Sequence, residues 1–153
     1  MGVDAVVFND VGELLLIQRK DNQTWAMPGG IAEIGDTLAE TALKELWEEA
    51  GLRGEVKRLL GVFDGRFWGS RSPIHNLLAV FEVQCPKLEP APGLETLGAR
   101  FFRADALPEL HNSHQQRVPL VFKLRQQATF FDPASSVGKE MSMFQRLGPP
   151  QSE

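Results

Sequence analysis

The sequence predicts an α/β fold, a mixed β-sheet flanked by helices. Three observations carry this. Extended and helical patterns follow one another in the order β-β-β-α-β-β-β-α. One segment, Thr37 to Ala50, carries both start and stop signals of a helix. The chain has 153 residues, 42% of them apolar and 24% charged, which suits one compact domain and excludes a chain too polar to fold.

Each element has a local reason. Val3 and Ala5 to Phe8 form an apolar, β-branched run, and Asn9-Asp10-Val11-Gly12 supplies turn chemistry. Glu13 to Arg19 is a second apolar run, so the two are expected to pair as a β-hairpin. Trp25-Ala26-Met27 is a short extended piece ended by Pro28-Gly29-Gly30, which predicts a loop. In the helix, Thr37 and Glu40 match a capping box and Gly51 provides a left-handed stop. Leu38, Ala42, Leu43, Leu46 and Trp47 recur at helical spacing. Val56–Phe63 and Leu77–Val83 read as strands joined by the long loop Asp64–Asn76, and Ala99–Arg103 as another strand. A last helix falls within Ser113–Gln127, started or kinked by Pro119. Residues 1–131 are therefore expected to form one domain, and the Pro-, Ser- and Gly-rich 132–153 a loosely held tail.

The net charge of −4 argues against a surface that grips bulk nucleic acid by its phosphates. The single cysteine, Cys85, excludes an intramolecular disulfide framework or a Cys-rich zinc site. No apolar run is long enough to span a membrane, and Met1-Gly2-Val3-Asp4 does not open a signal peptide, so a cytoplasmic setting is expected. The acidity is local. Between Gly30 and Leu52 six acids stand against one base, Lys44.

Glu45, Glu48 and Glu49 stand at i, i+3 and i+4, on one face and in the last two turns of the predicted helix. Like charges repel there, and the helix dipole disfavours them further. An acidic solvated face is one reading. A hard divalent cation, Mg²⁺ or Mn²⁺, that resolves the repulsion is the other. The preceding Gly29-Gly30 turn, where backbone can approach a phosphate closely, favours the cation.

These residues resemble the Nudix box, G-x5-E-x7-R-E-U-x-E-E-x-G-U with U apolar. The stretch from Gly30 to Leu52 keeps the spacing throughout and matches seven of nine specified positions. It looks most like the bacterial ADP-ribose pyrophosphatase-like branch. The resemblance implies a Nudix-type α/β/α sandwich and Mg²⁺-dependent hydrolysis of a nucleoside diphosphate linked to another moiety, ADP-ribose or a related nucleotide sugar being favoured. An oxidised nucleoside triphosphate, a dinucleotide, or a degenerate domain that binds nucleotide without cleaving it are the alternatives. The resemblance further implies that Glu48 and Glu49 are metal ligands, with Glu45 a third ligand or the group that orients water, and the Gly29 or Gly30 carbonyl an additional donor. Glu95, ahead of a late strand, fits the further carboxylate that the family recruits, as ligand or general base; a solvated loop acid is the competing reading. Gly30 and Gly51 match the box glycines. Asp36 and Lys44 depart from its Glu and Arg, keeping charge sign but losing a methylene and a planar fork. The partner implied is a small-molecule nucleotide, and homodimers are frequent in the family.

Recognition of the substrate is less marked. The loop from Asp64 to Asn76 mixes Arg66 and Arg71, suited to phosphate or carboxylate, with Phe67 and Trp68, suited to stacking a base. An ordinary loop whose aromatics cap the core is the equal alternative. Trp25 is either a stacking wall or a core anchor. His111 and His114 sit three apart, with intervening Asn112 and Ser113 pointing to a loop or helix cap rather than a metal site.

Overall fold

A computed structural model describes residues 1–68 and 73–131. The elements are β1 (Gly2–Val6), β2 (Leu14–Arg19), β3 (Trp25–Ala26), β4 (Gly29–Ile31), α1 (Leu38–Ala50), β5 (Glu55–Asp64), β6 (Leu77–Gln84), β7 (Thr96–Phe102), α2 (His114–Leu124) and β8 (Phe130–Phe131). The expected tail over 132–153, and Arg71, lie outside the described residues.

The strands form two sheets. One is mixed and ordered β4-β1-β6-β5-β8, with β1 parallel to β6 and antiparallel to β4. The other is antiparallel and ordered β3-β2-β7. Consecutive residues of β1 and β2 alternate between two cores. Val3, Ala5, Leu15 and Ile17 pack with Ala42, Leu46 and Ala50 of α1. Val6, Leu14 and Leu16 pack with Val118, Val121 and Leu124 of α2. The strands thus make a middle layer with a helix on each side, the expected α/β/α sandwich. Because both faces are covered, all five residues of β1 are buried.

Three local expectations change. The β1–β2 hairpin closes only at its tip, where Asn9 N–H donates to the Glu13 carbonyl (3.0 Å) and Leu15 N–H to that of Val7 (2.9 Å). Beyond the Phe8–Leu14 bridge the strands part, because β1 takes β4 and β6 as neighbours while β2 takes β3 and β7. Pro28-Gly29-Gly30 is not wholly a loop. Gly29–Ile31 is an edge strand, with Gly30 opposite Val3 and Gly29 opposite Asp4. The last long strand begins at Thr96, ahead of Ala99, and Pro119 lies inside α2.

Ionic contacts tie the periphery to this frame. Glu82 on β6 is 6% exposed and takes Arg58 Nε at 2.9 Å and Lys57 Nζ at 3.1 Å. The same Arg58 donates to the carbonyls of Leu124 (2.9 Å), Arg125 (3.0 Å) and Gln127 (2.8 Å), closing the carboxyl end of α2. The lone Cys85 is buried, and desolvation pushes its thiol up to about 11. Among the described residues no helix is long and apolar enough to cross a membrane. Arg58→Met removes these donors together, and we expect a loss of about 2 kcal/mol in urea unfolding; stability within experimental error of the wild type would contradict the role given to Arg58.

Candidate active site

Helix α1 begins as its sequence dictates. The Thr37 hydroxyl accepts the Glu40 N–H at 3.2 Å, and the Glu40 carboxylate accepts the Thr37 N–H at 2.8 Å. The helix ends at Gly51 in a left-handed conformation (φ 67°), with no basic side chain in its last turn. Lys44 is the one base within the helix, and the last turn itself offers Glu48 and Glu49 no positive side chain.

The offset comes from neighbouring backbone. Gly29 N–H donates to Glu49 Oε2 at 2.9 Å. Glu45 lies flat against Gly30, where a Cβ would stand 2.2 Å from its Oε1, so a side chain at position 30 would displace the carboxylate. The loop before β7 closes the other side. Ala91 N–H donates to the Ala50 carbonyl (2.9 Å), and the Thr96 hydroxyl to that of Glu49 (2.8 Å). Gly93 approaches so closely that a Cβ there would stand 1.7 Å from the Glu48 carbonyl oxygen. Lys20 Nζ donates to the Leu94 carbonyl and holds the loop from the far side.

This docking brings Glu95 to the helix carboxylates. A cleft of about 520 Å³ is lined by Glu45, Glu48, Glu49 and Glu95, with Trp47 and Leu94 at its rim. An adjoining cleft of about 350 Å³ is lined by Arg19, Lys20, Asp21, Glu49 and Glu95. A third, of about 510 Å³ and lined by Arg53, Gly54, Glu55, Gln84 and Pro86, shares no residue with either.

Crowding is recorded in the ionisation of the acids. Burial pushes Glu49 up to about 7, opposed by the Gly29 N–H and assisted by the charge of Glu45. Glu45 is raised as well, first by burial and then by Glu48, with Glu95 contributing. Two hard oxygen donors, Glu45 and Glu49, raised by desolvation and by neighbouring carboxylates, suit a divalent cation. Among the described residues no three acidic or imidazole groups yet converge on one point, so closing on an ion requires side-chain rotation, which the exposed Glu48 permits.

The remaining sequence-selected residues are placed as follows. Lys44 pairs with Glu33 at 3.5 Å, and its charge lowers Glu45. Asp36 is exposed beside it, its N–H donating to the Glu33 carbonyl at 3.3 Å. Arg66 forks onto Asp64 within its own loop, Nε to Oδ1 at 3.0 Å and Nη2 to Oδ2 at 2.5 Å. Asp64 also takes His75 Nε2 at 2.9 Å and is held well below the usual carboxylate range, chiefly by Arg66. Trp68 packs edge-on against Phe63, ring centres 5.2 Å apart. Trp25 is 9% exposed and edge-on to Phe102 at 4.8 Å, a core anchor. His114 is buried as the first residue of α2.

Besides Glu82, two buried charges escaped the sequence reading, Asp4 on β1 and Arg117 on α2. They form an ion pair directly behind Gly29. The available signal was a single acid inside the apolar run around Val3–Phe8, and an arginine preceding Val118 on the buried side of a helix.

The raised Glu49 makes a pH prediction. Its folded-state value of about 7 lies above the ordinary 4.5, so the folded chain binds this proton more tightly. Its contribution to stability therefore falls as pH climbs from 4.5 through about 7. His114, depressed to about 3 by burial, slopes the opposite way below pH 6.5. Both wild type and Glu49→Gln retain His114, so their difference isolates Glu49. Without divalent cations, wild type should lose up to about 3 kcal/mol relative to Glu49→Gln across this window. Parallel pH–stability curves from chemical denaturation would refute it.

Comparison with known proteins agrees with this arrangement. Residues 1–124 match the model of the NUDIX domain. An ADP-ribose pyrophosphatase from Methanocaldococcus jannaschii is 33% identical over 119 residues, 76% of this chain and 69% of that protein. The first curated relatives are aligned over 41% to 69% of their own lengths. A solved ADP-ribose pyrophosphatase from Streptococcus suis superposes with a TM-score of 0.73 at 27% identity, covering 86% of this chain and 97% of that one. A solved UDP-X diphosphatase superposes at 0.78 with 28% identity, covering 86% and 66%. A box of carboxylates on α1, seated on a Gly-Gly strand inside an α/β/α sandwich and matched over four-fifths of the chain, places this protein in the NUDIX domain family.

Proposed function

We propose that this chain hydrolyses the diphosphate of a nucleoside diphosphate joined to a second moiety, with ADP-ribose or a related nucleotide sugar as substrate. The observation that supports this most is the cleft in which Glu45, Glu48, Glu49 and Glu95 gather beside glycine backbone. The likeness to two ADP-ribose pyrophosphatases supports the substrate class. A uridine diphosphate conjugate is the second reading, favoured by the likeness to a UDP-X diphosphatase.

Glu45, Glu48 and Glu49 would hold Mg²⁺ or Mn²⁺, with the Gly29 carbonyl as a neighbouring donor. Such an ion, when bound, neutralises charge developing on the anhydride oxygens and lowers the pKa of water. Gly29 and Gly30, without side chains, leave room for the diphosphate beside the carboxylates. Glu95, which lines the same cleft, would accept a proton from the attacking water. Arg19 and Lys20, lining the adjoining cleft, supply positive charge toward substrate phosphates. Arg66 and Trp68, which open the stretch after β5 and line neither cleft, would have to leave Asp64 and Phe63 to meet the rest of the substrate.

Attack of water on one phosphorus of ADP-ribose and expulsion of the other phosphate gives AMP and ribose 5-phosphate. We expect both products with Mg²⁺ present, and Glu48→Gln should lower turnover about 100-fold or more with unchanged circular dichroism. Undiminished turnover in that variant would sink the assignment. Retention of ADP-ribose and UDP-glucose bound but uncleaved by wild type would turn it into a binding domain.

A further inference from the structure

The Gly29 amide that meets Glu49 belongs to the segment Met27-Pro28-Gly29, and each of these residues is held from behind. Met27 N–H donates to Nδ1 of the buried His114 at 3.3 Å. Ala5 N–H donates to the Pro28 carbonyl at 2.8 Å. Gly29 lies against β1, where a Cβ would stand 2.6 Å from Asp4 Oδ1 and 2.2 Å from the Val3 carbonyl oxygen.

Asp4 therefore faces two ways. Oδ1 abuts Gly29, while Oδ2 takes Arg117 Nη1. Arg117 is 1% exposed and fully engaged. Its Nε donates to the Ser113 carbonyl at 3.1 Å, and Nη2 lies 3.3 Å from both Ser113 Oγ and His114 Nε2. Ion pair and imidazole thus form one cluster, tying the first turn of α2 to the strand beneath the Gly-Gly segment. Apolar residues of equal volume could fill this space without loss of stability, so burial alone does not account for two charges here. What apolar residues could not do is fix direction. The fork of Arg117 fixes the Asp4 carboxylate against the face of Gly29, where the backbone pairing of β4 with β1 brings the two together.

We propose that Asp4 and Arg117 are positioning residues for the hydrolytic centre, acting through the Gly29 amide on Glu49. This rests on the reading of Glu45, Glu48 and Glu49 as the ion-holding set. The competing role is a purely structural one, with the pair doing no more than fastening α2 to β1.

The test compares Asp4→Asn and Arg117→Lys with Leu124→Ala, a core truncation about two turns further along the same helix. Three quantities are read on folded protein: exchange of the Gly29 amide by NMR without divalent cation, Mn²⁺ affinity by titration without substrate, and kcat and KM for ADP-ribose. In Asp4→Asn we expect faster Gly29 exchange, Mn²⁺ affinity and kcat each lowered about 10- to 100-fold, and KM within about twofold of wild type. Arg117→Lys, which keeps the charge without the fork, should fall between wild type and Asp4→Asn. Leu124→Ala should lower global stability while leaving Gly29 exchange and Mn²⁺ affinity at wild-type values. Unchanged Gly29 exchange and Mn²⁺ affinity in Asp4→Asn overturns the proposal, as does an equal change in Leu124→Ala. If Arg117→Lys does not fold, Asp4→Asn decides alone. Wild type that neither binds Mn²⁺ nor cleaves ADP-ribose would overturn the functional reading, and Gly29 exchange would still decide whether the pair sets the amide.

Discussion

Carboxylates gathered at the carboxyl end of a helix repel one another and oppose its dipole, and no side chain in the last turn of α1 answers them. The chain accommodates them by bringing backbone to the helix from two directions. From one side come Gly29 and Gly30, an amide for Glu49 and a bare surface for Glu45. From the other comes the loop 91–96, which satisfies the last carbonyls of α1 and carries Glu95 into the same cleft. Both approaches need positions without a Cβ. The acidic cluster is thus a product of close packing as much as of charge.

The two-sheet middle layer is what makes these approaches possible. Because β1 leaves its hairpin partner after the tip, its edge is open to β4, and β4 is the Gly-Gly segment itself. The strand at the centre of the fold is therefore also the floor on which the Gly29–Gly30 backbone is laid. Each helix presses on that floor from its own side: α1 with the carboxylates, α2 with the arginine that meets Asp4. Elements distant in sequence, residues 4, 29, 49 and 117, become successive layers of one assembly.

Much of this was legible in the sequence. The capping box, the stop at Gly51 and the i, i+3, i+4 carboxylates are local patterns whose physics does not depend on the rest of the chain. The spacing from Gly30 to Glu49 then carried the family resemblance. What could not be read was non-local. Nothing in Asn9–Glu13 says that its two strands will separate, since turn chemistry specifies the tip and not the continuation. The edge strand Gly29–Ile31 forms because β1 lies beside it, against the loop signal of its own residues. Asp4 and Arg117 are each anomalous for their surroundings, yet their pairing spans the length of the domain. Trp68 was ambiguous because an aromatic side chain suits a core and a stacking surface equally, whereas Trp25, at the head of a short strand, read more readily as core.

The buried Cys85 has a practical consequence. It is the sole thiol of the sequence, and its environment disfavours the reactive thiolate. Alkylating dyes and spin labels will pass it by in the native protein. A cysteine engineered on the exposed rim of the cleft would be the one addressable thiol, so distances across the site can be followed spectroscopically without first removing the native residue from the core.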